Sequence, residues 1–290
     1  MSKLVPLPAS LPGVLKSYLP NSENDTNNLP FVTLTYATSL DSRISAAPGM
    51  QTIISHPETK TMTHYLRYHH DAILVGVGTV LADDPGLNCR WTPKEGDPIH
   101  LIQPIVVDPG FKWDPRGSRL LRTAKEGMGL GPYVVVRSDA LGKSDQSSIS
   151  SIDSKLSDTL SSEVVAKIEA LKEVGGKVIV IPSTSQATGP IPWSEIFAQL
   201  YGENTSNGHP IQSIMVEGGA TVINSLLDET AARVETHGPP PLVSSVVVTV
   251  GPVFFGSRGV SVSPVTSQPR LSHVRWWTGS RDAVVCGRLG

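Results

Sequence analysis

Seven short runs rich in β-branched residues constrain this chain more than any other feature: FVTLTYAT (31–38), AILVGV (72–77), PIVVD (104–108), YVVVR (133–137), KVIVI (177–181), SIMVE (213–217) and SVVVTV (245–250). Apolar runs of this length bounded by turn residues predict strands. AILVGV is apolar throughout, the pattern of a strand covered on both faces. Helical stretches lie between the runs. HPETKTMTHYLRYHH (56–70) has Ser55 as its expected N-cap, Pro57 in its first turn and Glu58 at the positive end of the helix dipole. SSEVVAKIEALKEVGG (161–176), with Gly175 as its stop, IPWSEIFAQLYG (191–202) and GATVINSLLDE (219–229) are the clearest others. Strand and helix in regular succession predict an α/β chain, a mostly parallel sheet with helices on both faces. The tail HVRWWTG…DAVVCGRL predicts a closing hairpin, which makes the sheet mixed.

Residues 1–28, rich in Pro, Ser and Asn, predict a poorly ordered or surface-draped arm, and residues 29–290 a single domain. The Ser/Asp-rich stretch 138–162 reads as an exposed insertion and THGPPPL (236–242) as a second loop. Strand–helix units resume beyond both, so neither marks a domain boundary. A net charge of −2 argues against a nucleic-acid partner, which needs a cationic face. Two cysteines, Cys89 and Cys286, are too few for a disulfide framework or a Cys-rich zinc site and fit a reducing compartment. No deaminase signature of the form His-x-Glu…Pro-Cys-x-x-Cys is present. Prolines break the N-terminal residues before an apolar run reaches signal-peptide length. The longest apolar run, near Val246–Phe255, contains Gly251 and Pro252 and falls short of a membrane span. A cytoplasmic protein with no membrane partner is the expectation.

Four constellations carry candidate chemistry. In VGVGT, Gly76, Gly78 and Thr79 follow an apolar strand directly. Glycine admits close backbone approach and turn N–H groups suit an anion, although a tight turn reads equally well. The Gly-x-Gly-x-x-Gly spacing of a Rossmann site is absent. In MVEGGAT (215–221), Glu217 sits at a strand's carboxyl edge and Gly218–Gly219 open a helix, where α/β sheets place ligands. A tight strand–helix connection alone leaves that carboxylate without a reason. The third group is Asp83–Asp84 before Pro85, either an ordinary turn or a carboxylate one turn past Thr79. Arg67 on the 56–70 helix and Arg90 after that turn are placed to converge on a phosphate, which suits a guanidinium fork. Singly, each also reads as a solvated surface residue. In the fourth, YATSLDSRIS (36–45), Ser39 and Asp41 cap a turn. His56, His64, His69 and His70 lack a carboxylate at metal-ligand spacing and read as structural or solvated, with no metal.

Together, VTLTYATSLDSRIS, ISHPETKTMTHYLRYHHDAILVGVGTVLADDPGLNCRW, PIVVD, IMVEGGATVINSLL and GPVFFGSRG resemble the reductases of riboflavin biosynthesis. In particular they resemble the fungal-type, stand-alone 2,5-diamino-6-ribosylamino-4(3H)-pyrimidinone 5′-phosphate reductases. The chain is also similar to the reductase half of the bacterial bifunctional deaminase–reductase. The resemblance implies a dihydrofolate-reductase-like fold, a homodimer, NADPH as cofactor and a sugar-phosphate pyrimidine as substrate, reduced at ribose C1′ in its ring-opened imine form. Carried over by position, it implies cofactor contacts at Ala37, Gly76, Gly78, Thr79, Asp83 and Val180 and along Val216, Glu217, Gly218, Gly219, Ala220 and Thr221. It implies substrate contacts at Gln51, Ile53, Arg67, Leu87, Arg90 and Glu217. Hydride transfer needs no protein nucleophile, and Asp83 or Glu217 is placed in the catalytic role of favouring a protonated imine.

Three departures stand out: Thr35 where many bacterial relatives carry lysine, Ser42 where glycine is common, and the long 138–162 insertion. Lys112 and Arg137, each just past a strand, are the candidates for a cofactor 2′-phosphate. Two other readings remain open. One is a different pterin or pyrimidine reductase on this fold, which would lack the paired arginines. The other is a non-catalytic nucleotide-binding homologue.

Overall fold

The computed structural model describes residues 3–21, 28–141, 160–182, 190–236 and 240–289. Most of the Ser-rich insertion and the middle of the 236–242 loop lie outside the described residues. In chain order the elements are α1 (Leu11–Leu15), β1 (Phe31–Thr38), β2 (Arg43–Ser45), α2 (Pro57–Tyr68), β3 (Ala72–Gly76), α3 (Val77–Asp83), β4 (Gln103–Val107) and α4 (Arg119–Lys125). They continue with β5 (Tyr133–Arg137), α5 (Ser162–Lys172), β6 (Lys177–Ile181), α6 (Trp193–Leu200), β7 (Ser213–Gly218) and α7 (Ala220–Glu235). The chain closes with β8 (Ser245–Val250), β9 (Val260–Ser261), β10 (Leu271–Thr278) and β11 (Ala283–Leu289).

Among the described residues, nine strands form one sheet in the order β10-β11-β8-β1-β7-β3-β4-β5-β6. Its seven strands from β8 to β6 are parallel, and β11 and β10 add an antiparallel hairpin at one edge. This is the mixed sheet expected from the β-branched runs. The period of two along each strand sorts the core into layers. Leu34, Ile105 and Val216 face α6 and α7, where Phe197, Ile223 and Leu226 are buried. The opposite face carries Val75, Val106 and Val134 under Leu120, Leu121 and Leu171, and Met215 and Val247 under Met62 and Leu66 of α2.

Three expectations are corrected. The N-terminal segment is not draped on the surface: Leu11, Leu15 and Tyr18 are buried with Trp277 and Val284. A four-residue spacing puts both leucines on one helix face, and Pro12 sits in the first turn, where it costs no hydrogen bond. The strand read over 72–77 ends at Gly76, and Val77 opens a short helix instead. Finally, His56 rather than Ser55 is the N-cap of α2, and its side chain makes no capping bond. The cap comes from the distant hairpin turn. Asp282, 2% exposed, accepts from His56 N at 2.6 Å and from Thr59 Oγ1 at 2.5 Å. Glu58 in turn accepts from Ser280 N at 3.0 Å. Among the described residues, no helix is long and apolar enough to cross a membrane.

Removing the Asp282 carboxylate leaves the His56 N–H without its acceptor and Thr59 Oγ1 with only the His56 carbonyl at 3.1 Å, a lost helix cap that costs about 2 kcal/mol. Asp282→Ala is therefore expected to lower the unfolding free energy by that amount in urea titrations. A change below ~0.5 kcal/mol would show that the turn does not anchor the helix.

Candidate active site

The central strand β7 carries an irregularity at the point where the site forms. Its pairing with β3 runs Leu74↔Val216 and then Val75↔Gly218, so Glu217 is an extra residue opposite β3. Such a bulge re-aims a side chain. Here it presents Glu217 to α2. Arg67 Nε donates to Glu217 Oε1 at 2.7 Å and Nη2 donates to Oε2 at 2.7 Å. The two side chains are only 12% and 18% exposed. The third nitrogen, Nη1, donates to the Asn88 carbonyl at 2.8 Å, which ties the segment after α3 to the same pair.

Immediately beyond Glu217 the two glycine corners meet. Gly218 and Gly219 have φ of +101° and +98°, and a Cβ on Gly219 would lie 2.8 Å from Thr79 Oγ1. Thr79 Oγ1 also lies within 3.4 Å of the Gly218 carbonyl, to which it donates. The glycines of VGVGT serve different ends. A Cβ on Gly76 would lie 2.7 Å from Val222 Cγ2, so Gly76 lets α7 pack on β3, whereas Gly78 has nothing within 4 Å and leaves open space. Ala220 and Thr221 begin α7, whose first-turn N–H groups have no partner within the helix and carry its positive end. Val216 is buried beneath them.

The segment leaving α3 wraps the other side of the ion pair. Asp83, half-buried, ends α3, and burial pushes its carboxyl above the usual range. Asp84 and Leu87 take positive φ of 40° and 44°, and Leu87 is buried. Asp84 Oδ1 accepts from Arg119 N at 2.8 Å. Arg90 comes back over α2, where Nη2 and Nε lie 2.7 and 3.1 Å from Nε2 of His64. Thus Arg67, Leu87, Arg90, Thr79, Glu217 and the Gly218–Gly219 corner form one continuous region at the carboxyl edge of β3 and β7.

Other candidates are placed less centrally. Ala37 lies on β1 beyond the last β7 pairing, opposite Thr249 of β8. Gln51 and Ile53 are exposed on the segment before α2; Ile54 of that segment packs on Gly251 at the end of β8. Val180 is not brought to the glycine corners. It is buried in β6, three strands from β3, among Val106 and Val134. Arg137 is paired with Asp139 at 2.8 Å, and Lys112 is exposed. Ser39 and Asp41 do order the turn after β1: Ser39 Oγ donates to Asp41 Oδ1 at 2.5 Å and accepts from Arg43 N at 2.9 Å. Ser42 in that turn has φ of 58°, a left-handed conformation that explains a preference for glycine and costs serine about 1 kcal/mol.

Residue-type reasoning passed over His64, Asn88 and Arg119. His64 lies three residues before Arg67 on α2, so helical spacing alone put both on one face. Asn88 contributes only a backbone carbonyl, which leaves no mark in a sequence.

Breaking a largely buried ion pair by removing one partner leaves an uncompensated charge, worth about 3 kcal/mol. Arg67→Met is expected to lose roughly that much stability in denaturant titrations. Adding Glu217→Leu to it should recover most of the loss, which a double-mutant cycle would read as strong coupling. Additive losses would contradict the geometry.

The sequence model of the family described as RibD C-terminal domain matches residues 30–285. The chain is 41% identical over 290 residues to the 2,5-diamino-6-ribosylamino-4(3H)-pyrimidinone 5′-phosphate reductase of Eremothecium gossypii, covering 99% of each. It is 41% identical over 288 residues to the protein of the same name from Saccharomyces cerevisiae, covering 99% of this chain and 98% of the relative. The solved structure of the Saccharomyces riboflavin biosynthesis reductase Rib7 superposes with a TM-score of 0.68 at 37% identity, covering 97% of this chain and all of that one. A Thermotoga maritima bifunctional deaminase/reductase shares the fold, with a TM-score of 0.58 at 21% identity over 91% of this chain and 58% of that one. The mixed α/β architecture expected from the sequence, a mostly parallel sheet with helices on both faces, is the one these reductase domains share. The chain belongs to the RibD C-terminal domain family.

Proposed function

We propose that this chain is a 2,5-diamino-6-ribosylamino-4(3H)-pyrimidinone 5′-phosphate reductase that uses NADPH to convert the ribosyl side chain to its ribityl form. One observation carries the reading: the Thr79–Gly219 contact and the Arg67–Glu217 pair adjoin at one sheet edge, in a chain about 40% identical along its length to fungal proteins of that name. The residues fit a dinucleotide. A Cβ on Gly219 would collide with Thr79 Oγ1, Gly78 leaves open space, and the start of α7 offers N–H groups to a pyrophosphate. Thr79, Gly218, Gly219, Ala220 and Thr221 would hold that part, with Gly76 shaping the turn, Val216 beneath it and Ala37 towards the nicotinamide end. Asp83 lies beside this region. Val180, buried in β6, lies outside this group.

When bound, NADPH supplies the hydride that reduces C1′. The chain's own residues position the substrate and manage charge. Arg90 offers its guanidinium to the 5′-phosphate, Leu87 lines the wall, and Gln51 and Ile53 cover the pocket from the segment before α2. Arg67 keeps Glu217 fixed, and the carboxylate's remaining lone pairs are suited to a ribose hydroxyl. Reduction adds a hydride to C1′ and leaves one proton on the attached nitrogen, so the imine accepts hydride best when already protonated. The Asp83 carboxylate stabilises that cation. Arg90 favours a sugar phosphate over a pterin, which bears no phosphate.

An anaerobic assay following NADPH oxidation with the pyrimidinone phosphate tests the reading. Turnover with that compound and none with dihydrofolate supports it; no oxidation with either would favour the non-catalytic reading. Asp83→Asn is expected to lower kcat about 100-fold. The sign with pH follows from the upward shift of the Asp83 carboxyl by burial. The ionised form is the useful one, so kcat falls on acidification at a higher pH than for an ordinary carboxylate, and the asparagine variant lacks that inflection. An unchanged kcat in Asp83→Asn would remove the role.

We also infer a homodimer. Edge strand β10 supports it, because it leaves Val274 and Trp276 43% and 64% exposed on one side. Sedimentation equilibrium should give twice the chain mass. Two free, buried cysteines, Cys89 and Cys286, are consistent with the cytoplasm as the working compartment.

A further inference from the structure

An arginine with no part in the chemistry above stands at the carboxyl end of β1. Strand β2 begins at Arg43, whose backbone is bonded to Ser39, two residues past Ala37. Arg43 N donates to Ser39 Oγ at 2.9 Å, and the Arg43 carbonyl accepts from Ser39 N at 2.8 Å. Its stem lies on Gly259, where a Cβ would stand 2.8 Å from Arg43 Cγ, so only glycine lets the side chain pass. The guanidinium makes no hydrogen bond or ion pair to any described residue. Nε is shut away from water without an acceptor, whereas the two Nη nitrogens, equally unpaired, keep contact with solvent. Asp41, the nearest acid in sequence, is committed elsewhere. It accepts from Ser39 Oγ at 2.5 Å, Phe255 N at 3.1 Å and Gly256 N at 2.7 Å.

The ribbon of β2 and β9 carries this arginine between the end of β1 and the start of α7. Arg43 pairs with Ser261 across the ribbon. Ile44 packs on the core cluster that includes Val222 and Ile223 of α7. Just past β9, Ser263 N donates to Asn224 Oδ1 in the second turn of that helix at 3.0 Å. A guanidinium desolvated at Nε and left without a counter-charge is costly, and an anionic oxygen at its Nη nitrogens offsets that cost. The adjoining corner calls for such a cation. Thr79 offers a hydroxyl and α7 its N–H groups, but the charge of Arg67 is already matched by Glu217. We propose that Arg43 is a cofactor-binding residue whose Nη nitrogens meet the diphosphate of the dinucleotide, on the nicotinamide side of the Gly218–Ala220 corner. The proposal rests on the reading of that corner as the seat of the dinucleotide. Gly259 and the Ser39 bonds hold the stem in place before the cofactor arrives, so little ordering is left to binding.

The test is equilibrium titration of the chain with NADPH in the absence of substrate. Arg43→Met keeps an apolar stem and is expected to raise the Kd for NADPH about ten-fold. The rise of Kd with added salt should flatten in the same variant, because one screened attraction is gone. KM for the pyrimidinone phosphate at saturating NADPH should stay within about two-fold. Arg43→Lys returns a positive charge and should recover most of the affinity, which a packing role for the stem alone would not require. Should the methionine variant fail to fold, the contrast between Arg43→Lys and Arg43→Gln decides, with tight NADPH binding expected for lysine only. An unchanged Kd in Arg43→Met, a loss that lysine does not relieve, or a loss confined to the KM of the pyrimidinone phosphate would each overturn the proposal and leave the dinucleotide reading standing. Failure of the unsubstituted chain to bind NADPH would overturn both.

Discussion

The two-bond pair between Arg67 and Glu217 is the constraint on which the site depends. Both partners are withdrawn from water, and each is tolerable there because the other is present. The pair joins three parts of the chain: α2 through Arg67, the central strand through the bulged Glu217, and the 84–91 segment through the Asn88 carbonyl. That last segment carries two non-glycine residues in left-handed conformations, Asp84 and Leu87. Such conformations persist only where the surroundings over-determine them. Here the anchors are the Arg67–Asn88 bond, the burial of Leu87 and the Asp84–Arg119 contact.

Helix α2 is held near both ends by residues remote in sequence. Asp282, from the hairpin turn, satisfies the donors at its start, and Glu217 grips Arg67 in its last turn. A helix fixed in this way presents His64 and Arg67 at defined depths. The glycine corners supply the complementary half of the site. Positive φ at Gly218 and Gly219 turns the chain sharply from β7 into α7, so the start of that helix faces Thr79. A charged, rigid wall therefore stands against a backbone-lined one. That is the division of labour a dinucleotide and a sugar phosphate require when they must be held side by side.

Much of this was legible from residue order. Every β-branched run became a strand, because fully covered parallel strands need little but apolar, branched side chains. The glycine corner at 218–219 was legible for a similar reason, since a carboxylate between a buried strand and two glycines has few structural uses. Other features depend on contacts that sequence spacing does not reveal. Glu217 and Arg67 lie 150 positions apart, and both were singled out, but not as partners. The partnership comes from a one-residue bulge, which leaves no compositional trace. His64 was read as structural or solvated because no carboxylate stands at metal-ligand spacing from it. Its contact with Arg90, 26 residues on, comes from the later segment folding back over the ring. The N-terminal segment misled through its prolines, although its Leu11–Leu15 spacing already held the signal for a buried turn.

The most direct measurement is a crystal structure of the chain with NADP⁺ and the pyrimidinone phosphate bound together. The account predicts the pyrophosphate over Gly218–Ala220 beside Thr79, the substrate phosphate at Arg90, and the Arg67–Glu217 pair intact between them. Ligand density at the amino ends of the strands, or Arg67 released from Glu217 to take the phosphate itself, would contradict it.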